Sequence, residues 1–248
     1  MAFVNPNSCE CTNLELDLFA VQPTQTSIEE ASVVEYHPIS SLANRAPIDF
    51  DIVGRGEQYI DTNNIQLYMR AKIVQPGVGN ILAEDSTVAL VNLLLHSLFS
   101  QVHVSLNGTL ISNSTNTYPY RAMLKTLLSY GSDAKTLQLT SKMYYKDDTG
   151  RMDVFRIRKD AGQLLNTGHL AHRAHAKVSN EFDMIGRIHA DIFFQERYVL
   201  NEVGIKVRLV RSKDAFCLLG DTPADAKVEI THASVSYTHL TLPTILRV

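Results

Sequence analysis

The stretch VNLLLHSLFSQVHVSLNGTLISNSTNTYPYRAMLKTLLSYG, residues 91–131, changes its hydrophobic period twice and carries the clearest structural signals of the chain. Its first part, residues 92–99, is an apolar run long enough for a turn or two of buried helix. Residues 101–106 then alternate polar and apolar side chains, which predicts a strand with one buried face. These two segments supply the first predicted core residues: Leu94, Leu98, Phe99, Val102, Val104 and Leu106.

A hairpin is predicted immediately after this strand, at Asn107 and Gly108. Both central residues of a type I′ turn need a positive φ, and the pair Asn-Gly is a strong signal for that turn. The segment from Thr109 to Ile111 is then expected to be the returning strand.

A second helix is predicted after the hairpin. We expect Thr117 to cap it, Pro119 to lie in its first turn, and Gly131 to end it in the left-handed conformation. Apolar residues recur at the i, i+3, i+4, i+7 and i+8 positions, so they should form a buried stripe while Arg121 and Lys125 face away from the core. The stripe consists of Tyr120, Met123, Leu124, Leu127 and Leu128.

The same stretch carries a family resemblance. The segment HSLFSQVHVSLNGTLISNSTNTYPYRAMLKTLLSYGSDAK resembles the hexon-type major capsid proteins of Polinton/Maverick elements and adintovirus-like viruses. The flanking strings SCECTNLELDLFAVQPTQTSIE, VVEYHPIS and FDMIGRIHADIFFQERYVLNEVGIKVRLVRSKDAFCLLG share it, so the resemblance spans residues 1–233. It implies a double jelly roll, self-assembly into trimeric capsomers beside other capsid proteins, a place in the virion, and no enzymatic activity.

Composition fits a globular protein and excludes several other classes. The chain has 248 residues, 45% of them hydrophobic, which suffices for a sizeable core. The formal net charge of −3 gives no general signal for nucleic acid. Cys9, Cys11 and Cys217 are too few for a disulfide framework or a four-cysteine zinc site, and we expect no metal and no cofactor.

Neither a secretory signal nor a membrane span is predicted. The N-terminus has no basic segment followed by an apolar one, and no apolar run approaches the roughly 18 residues that cross a bilayer. We therefore expect synthesis and assembly inside the cell, with no membrane contact and no small-molecule substrate.

The order of the remaining elements predicts three regions. Residues 1–30 are polar and rich in Ser, Thr, Asn and Pro, which is typical of an extended arm. Residues 31–233 hold short alternating runs separated by Gly and Asn, the pattern of a mainly β jelly-roll sandwich with a few short helices. The predicted strands lie at residues 33–36, 48–53, 65–74, 188–194, 205–209 and 228–230. Whether this region runs into the start of a second jelly roll stays open.

A basic segment near residues 147–180 is predicted to be a loop inserted between strands, and it also contains His169, His172 and His175. A solvated insertion is the favoured interpretation. A metal site is an alternative, although the local sequence offers the histidines no carboxylate. Weak phosphate contact with packaged DNA is another alternative. Its candidate residues are Arg156, Arg158, Lys159, Arg173 and Lys177.

The last residues, 234–248, differ from the rest. VSYTHLTLPT, residues 235–244, resembles the translation of an adapter used in sequencing libraries, so we predict a non-native tail and a truncated chain. The alternative is a genuine final strand, because Val235, Tyr237 and His239 alternate acceptably.

The sequence therefore favours a structural capsid subunit, namely the first jelly roll of a double-jelly-roll, hexon-like protein. A minor or penton-type capsid protein with a single jelly roll is the first alternative. A jelly-roll carbohydrate-binding domain is the second. A cupin-like metal site would need two histidines one residue apart, and no His-x-His occurs in the chain.

Overall fold

Two antiparallel sheets face each other in a computed structural model that describes residues 28–43, 46–54, 56, 58–77, 81–113, 115–158, 164–221 and 225–242. In these residues sheet A has the strand order β1-β10-β3-β7 and sheet B the order β2-β8-β5-β6. Strands that are distant in the sequence pair with each other, as in β1 with β10 and β5 with β8. This topology is a jelly roll, which confirms the predicted fold class.

The strands are β1 (Glu30–Tyr36), β2 (Ile48–Ile52), β3 (Gln58–Val74), β4 (Ala89–Leu90), β5 (Phe99–Leu106), β6 (Thr109–Asn113), β7 (Phe182–Gly186), β8 (Ile205–Arg211), β9 (Leu218–Leu219) and β10 (Lys227–Thr241). The short strands β4 and β9 pair with each other outside the two sheets. The α-helices are α1 (Leu94–Ser97), α2 (Tyr118–Ser129), α3 (Ser132–Thr136), α4 (Thr167–Ala176) and α5 (Asp214–Cys217). Short 3-10 helices cover Gln138–Lys142, Lys177–Ser179 and Asp191–Phe194.

The core lies between the sheets and is built by side chains that alternate along the strands. Every second residue of β3 from Ile65 to Ile73 is buried, as the sequence predicts, and Ile60 and Thr62 near the start of the strand are buried as well. Sheet B contributes Phe50 from β2 and Val207 from β8 in the same way. Because a strand turns successive side chains to opposite faces, the alternation in the sequence determines which residues enter the core.

The predicted hairpin is present. Asn107 and Gly108 have φ angles of 45° and 81°, and Leu106 pairs with Thr109 across the turn. The returning strand β6 extends two residues beyond the predicted Ile111. Of the core residues predicted before the turn, Leu106 is half-buried, and the others are fully buried: Leu94, Leu98, Phe99, Val102 and Val104.

Helix α2 is present, but the prediction of its buried face is wrong. Tyr118, Ala122 and Thr126 face the interior, together with Pro119, and Met123 is half-buried. The stripe residues Tyr120, Leu124, Leu127 and Leu128 are instead exposed. The small side chains of Ala122 and Thr126 let the helix approach α1 and β5 closely, whereas a row of leucines would hold it away.

The ends of α2 also differ in detail from the prediction. Thr117 is the N-cap residue but makes no side-chain capping bond, and Pro119 lies in the first turn as expected. Tyr130 is the C-cap residue, in an extended conformation. Gly131 has a φ of −70° and caps the following helix α3, so its predicted left-handed role is wrong.

The basic segment contains a packed helix in place of the predicted solvated loop. The Asn166 side chain accepts a hydrogen bond from the Gly168 N–H at 3.2 Å and caps α4. His169, His172 and Ala176 of this helix are buried. Apolar periodicity could not reveal a helix whose buried face is largely imidazole.

The strand predicted at residues 188–194 is also wrong. Phe182–Gly186 is the strand β7, and residues 188–194 form a loop and a 3-10 helix beside it. Ile188 and Ala190 are buried as the alternation indicates, but they pack from irregular backbone, and Phe194 is exposed.

The limits of the folded region differ from the predicted ones at the C-terminal side. Residues 234–241 belong to β10, and Val235 and Tyr237 are fully buried between the sheets. Strand β10 therefore continues eight residues beyond residue 233, the limit that the sequence analysis predicts for the domain. A non-native origin of this segment stays a prediction, since an alternating stretch of any origin can pair with neighbouring strands. Residues 243–248 and most of the predicted arm, residues 1–27, lie outside the described residues.

Candidate functional site

The outward side of α2 is an apolar surface, which we call the leucine face. It consists of Tyr120, Leu124, Leu127 and Leu128, whose exposed fractions are 60%, 58%, 45% and 85%. Tyr120 packs edge-on against Phe216 of α5 with ring centroids 5.9 Å apart, beside a cavity of about 210 Å³. Contiguous exposed apolar residues commonly mark a surface that another protein covers.

One flank of α2 is fixed by charge. Arg121 and Lys125 both contact the Asp191 carboxylate, and the Lys125 ammonium lies 4.7 Å from the centroid of the Phe194 ring. The hydrogen bond from Arg121 lowers the pKa of Asp191. These contacts join the flank of α2 to the 3-10 helix Asp191–Phe194, and the leucine face lies on the side of the helix that they leave exposed.

A buried polar cluster lies beneath α2. The Tyr118 hydroxyl is 3.0 Å from Nδ1 of His96 and accepts a hydrogen bond from the His189 N–H at 3.3 Å. The two imidazole rings are 4.6 Å apart. Burial lowers the pKa of His96 well below its usual value, and burial together with nearby cations, first Lys142, lowers that of His189 to about 3.

The three histidines of α4 pack against different partners. His169 lies against the ring of Phe155, while His172 packs edge-on against Tyr145. Nε2 of His175 is 2.7 Å from the Tyr145 hydroxyl. Burial lowers the pKa of His172 to about 4. These contacts give the histidines a structural role in holding α4 on the sandwich.

The structure spreads the predicted phosphate-contacting residues over two environments. Arg173 donates to the carbonyl oxygens of Ser86 and Glu84, and Lys177 forms an ion pair of 2.7 Å with the Glu84 carboxylate. Together with Arg158, these two residues line an open, polar cavity of about 510 Å³. Arg156 lies in the irregular segment before it, and Lys159 falls outside the described residues.

A candidate metal-binding group lies on the outer face of sheet A. One ligand atom each from Glu35, His37 and His232 lies within 4.8 Å of the other two. Two imidazoles and a carboxylate are a donor set that zinc accepts. The sequence analysis did not single these residues out. The available signal was the Glu-x-His spacing at 35 and 37, because alternate residues of a strand share a face.

Solved structures share the fold of this chain. A chain of the Sputnik virophage, solved by cryo-EM, matches 98% of this chain and 54% of its own length, with a TM-score of 0.60 and 10% identity. The Faustovirus major capsid protein matches 92% of this chain and 57% of its own length, with a TM-score of 0.55 and 8% identity. The chain therefore has a jelly-roll fold found in viral capsid structures, and it spans about half the length of those chains.

Comparison of the sequence with known proteins gives less information than comparison of the fold. No protein-family model matches the chain. The Caenorhabditis elegans sequence named "Uncharacterized protein F54H12.2" is 20% identical over 201 residues, which are 79% of this chain and 44% of that protein. Among the helices that the structure describes, none has the length and apolar character needed to cross a bilayer.

Proposed function

We propose that this chain is a structural capsid subunit that acts by self-assembly and is not an enzyme. The observation that carries the proposal is the jelly roll itself, which aligns over nearly the whole chain with about half of a Sputnik virophage chain. In its finer form the proposal is the first sandwich of a double-jelly-roll, hexon-like protein of the Polinton, Maverick and adintovirus type. Such a subunit forms homotrimers in the virion, and those trimers contact other capsid proteins.

The leucine face is the assembly surface in this proposal, and its occupant is the second jelly roll of the full-length protein. The matched capsid chains have almost as much chain again as the part aligned here. A second sandwich packed on α2 would remove Leu124 and Leu128 from water, at roughly 25 cal/mol for each Å² of apolar surface covered. The ion pairs of Arg121 and Lys125 with Asp191 lie on the flank of α2 and leave this face uncovered.

Contact with packaged DNA is a weak part of the proposal. Lys177 is already engaged with Glu84, and Arg173 with backbone oxygens, so phosphate would have to replace these partners. Contact with DNA would then run through the segment that contains Arg156 and Arg158, and it would weaken as the salt concentration rises.

The non-native origin of residues 234–248 is a separate proposal. Reading the underlying nucleotides tests it. Codons for residues 235–244 that match the adapter support the proposal, and codons that differ at several positions contradict it. In the natural gene another alternating segment would then occupy the central position of β10.

The single-jelly-roll alternative is separated from the hexon-like proposal by light scattering. We expect the product of the uninterrupted gene to be a discrete trimer and the 248-residue chain to aggregate through its exposed apolar face. A monodisperse trimer of the 248-residue chain would contradict the double-jelly-roll assignment. A carbohydrate-binding domain would instead be a soluble protein retained on a glycan array.

A matched pair of variants tests the leucine face directly. The double change Leu124→Ser and Leu128→Ser should make the 248-residue chain soluble and should prevent trimer formation in the full-length protein. The control is Leu110→Ser with Ile111→Ser, two exposed apolar residues on the hairpin strand β6. Equal effects of the two pairs would mean that α2 has no special part in assembly.

A further inference from the structure

Lys142 is the one lysine or arginine that is buried among the residues the structure describes, with 7% of its surface exposed. It ends the 3-10 helix Gln138–Lys142, and its side chain lies across Gly186 of the edge strand β7. A Cβ at position 186 would be 2.5 Å from the lysine Cε and 2.8 Å from its Cγ. Only a glycine leaves room for this side chain, so the lysine is built into the fold.

No acidic residue neutralises Lys142 within the described part of the chain. The Lys142 ammonium lies over the Tyr130 ring, 5.7 Å from its centroid, and that contact brings no negative charge. Burial lowers the pKa of Lys142, and the nearby Arg187 guanidinium lowers it further. An ammonium group removed from water without a counter-ion costs several kcal/mol, so this arrangement is incomplete as it stands.

The lysine and Arg187 share a cavity of about 310 Å³. The polar residues that line it besides these two cations are Gln66, Tyr130 and Gln138, and no carboxylate is among the lining residues. Arg187 is held in place because it donates to the Asn63 carbonyl oxygen and stacks on Phe194, with its guanidinium carbon 5.0 Å from the ring centroid. The cavity therefore offers two positive charges and several neutral hydrogen-bond donors in a fixed arrangement.

We propose that this cavity binds a phosphate group, either as inorganic phosphate or as the terminal phosphate of a small molecule. Lys142 and Arg187 neutralise the dianion, and the amides of Gln66 and Gln138 with the Tyr130 hydroxyl donate to its oxygens. A planar guanidinium and an ammonium are the side chains that phosphate binds most readily. A nucleic-acid phosphodiester carries one negative charge, whereas a terminal phosphate carries close to two at neutral pH, so a pair of cations favours the terminal phosphate.

The bound phosphate would join three parts of the fold. Gln66 belongs to β3, Gly186 ends β7, and Lys142 belongs to the 3-10 helix that crosses the edge of sheet A. Because β7 is the last strand of sheet A, the ligand would strengthen the attachment of this 3-10 helix to the edge of the sheet. This role is independent of the proposed capsid function.

Calorimetric titration with inorganic phosphate tests the proposal. It uses the 248-residue chain with Leu124→Ser and Leu128→Ser or, if that variant is not soluble, the full-length protein. We expect one saturable site and, at a hundredfold excess over Kd, a rise in Tm of about 5 to 10 °C. Sodium chloride at equal ionic strength should not produce the rise. No saturable binding at millimolar phosphate would overturn the proposal.

Two matched variants locate the site. Lys142→Met keeps the length of the side chain and removes its charge, so we expect it to abolish phosphate binding without lowering Tm in the absence of phosphate. Lys206→Met removes an exposed lysine that pairs with Asp51 on sheet B, and it should bind phosphate like the parent chain. Unchanged binding by Lys142→Met would overturn the proposal. So would tighter, Lys142-dependent binding of an oligonucleotide, which would assign the cavity to nucleic acid.

Discussion

Helices α2 and α4 both lie against the sandwich, and they bury opposite kinds of residue. Helix α2 turns leucines outward and packs with Ala122 and Thr126, while α4 buries His169 and His172. The partner surfaces explain the difference. Helix α2 approaches α1 and β5 closely and needs small side chains there, whereas α4 rests on aromatic rings, which His172 contacts edge-on and His169 at a tilt. The shape of the docking surface, and not polarity alone, decides which face of a helix is buried.

Each of the two helices adds a different unfavourable term to the free energy of the folded chain. The leucine face keeps apolar surface in water, a cost that a partner protein can remove. The buried imidazoles of α4 must stay neutral, a cost that appears when the pH falls. The first cost points to assembly and the second to acid sensitivity.

The largest expected effect tests the orientation of α2. Ala122→Asp places a carboxylate on the buried side of the helix, against the apolar side chains of Leu93 and Leu139, and should cost more than about 4 kcal/mol or prevent folding. Leu128→Asp on the exposed side should change the free energy of unfolding by less than about 0.5 kcal/mol. Urea unfolding of both variants measures this, and the reverse order would mean that the leucines are buried as the sequence pattern indicates.

The next effect tests the buried histidines of α4. Because burial lowers the pKa of His172 to about 4, the unfolded chain binds protons more readily than the folded one below pH 6.5. The stabilisation is therefore complete above pH 6.5 and is lost as the pH falls toward 4, by roughly 3 kcal/mol at about 1.4 kcal/mol per pKa unit. The groups that face His172 are His169, His175 and Tyr145, none of them acidic.

Urea unfolding between pH 7 and pH 4 measures the acid effect. His172→Phe keeps an aromatic ring beside Tyr145 without a titrating group, so its stability should fall less steeply with pH than that of the parent chain. Ala174→Ser, at an exposed position of the same helix, should follow the parent curve. Parallel curves for His172→Phe and the parent would show that this histidine does not set the acid sensitivity of α4.

The smallest effect tests the flank of α2. The Asp191 side chain is 70% exposed, so its ion pairs with Arg121 and Lys125 are screened by water. We expect Asp191→Asn to cost no more than about 1 kcal/mol, and less at high salt. Asp183→Asn, which removes the exposed pair with Arg70, is the matched control. A loss well above that of the control would mean that the pair with Asp191 orients the helix by itself.

Much of the sandwich could be predicted from local pattern. The alternation in residues 65–73 and 205–209 identifies the buried faces of β3 and β8, and Asn107-Gly108 identifies the hairpin. These signals succeed because side-chain direction in a strand and positive φ in a turn depend only on neighbouring residues. The positions of α1 and α2 follow from the same kind of local signal.

The cavity shared by Lys142 and Arg187 and the buried histidine cluster could not be predicted in this way. Lys142 and Gly186 are distant in the sequence and meet only because a 3-10 helix crosses the end of β7. His96 and His189 are also distant, and they meet only where α1 packs against the loop after β7. No periodicity marks a lysine as buried, because the signal is the glycine that makes room for it. In residues 188–194 a local pattern is present but misleading: apolar and polar residues alternate as in a strand, yet the backbone forms a loop and a 3-10 helix.

The sequence by itself determined the inward faces of β3 and β8, the hairpin and the position of α2, since each depends on interactions between residues close in the chain. The tertiary structure alone decided the face on which α2 packs, the burial of the α4 histidines and the meeting of Lys142 with Arg187. Those features depend on the shape and charge of surfaces that form only when distant strands pair. A helix has several faces of similar propensity, and only the partner surface selects among them.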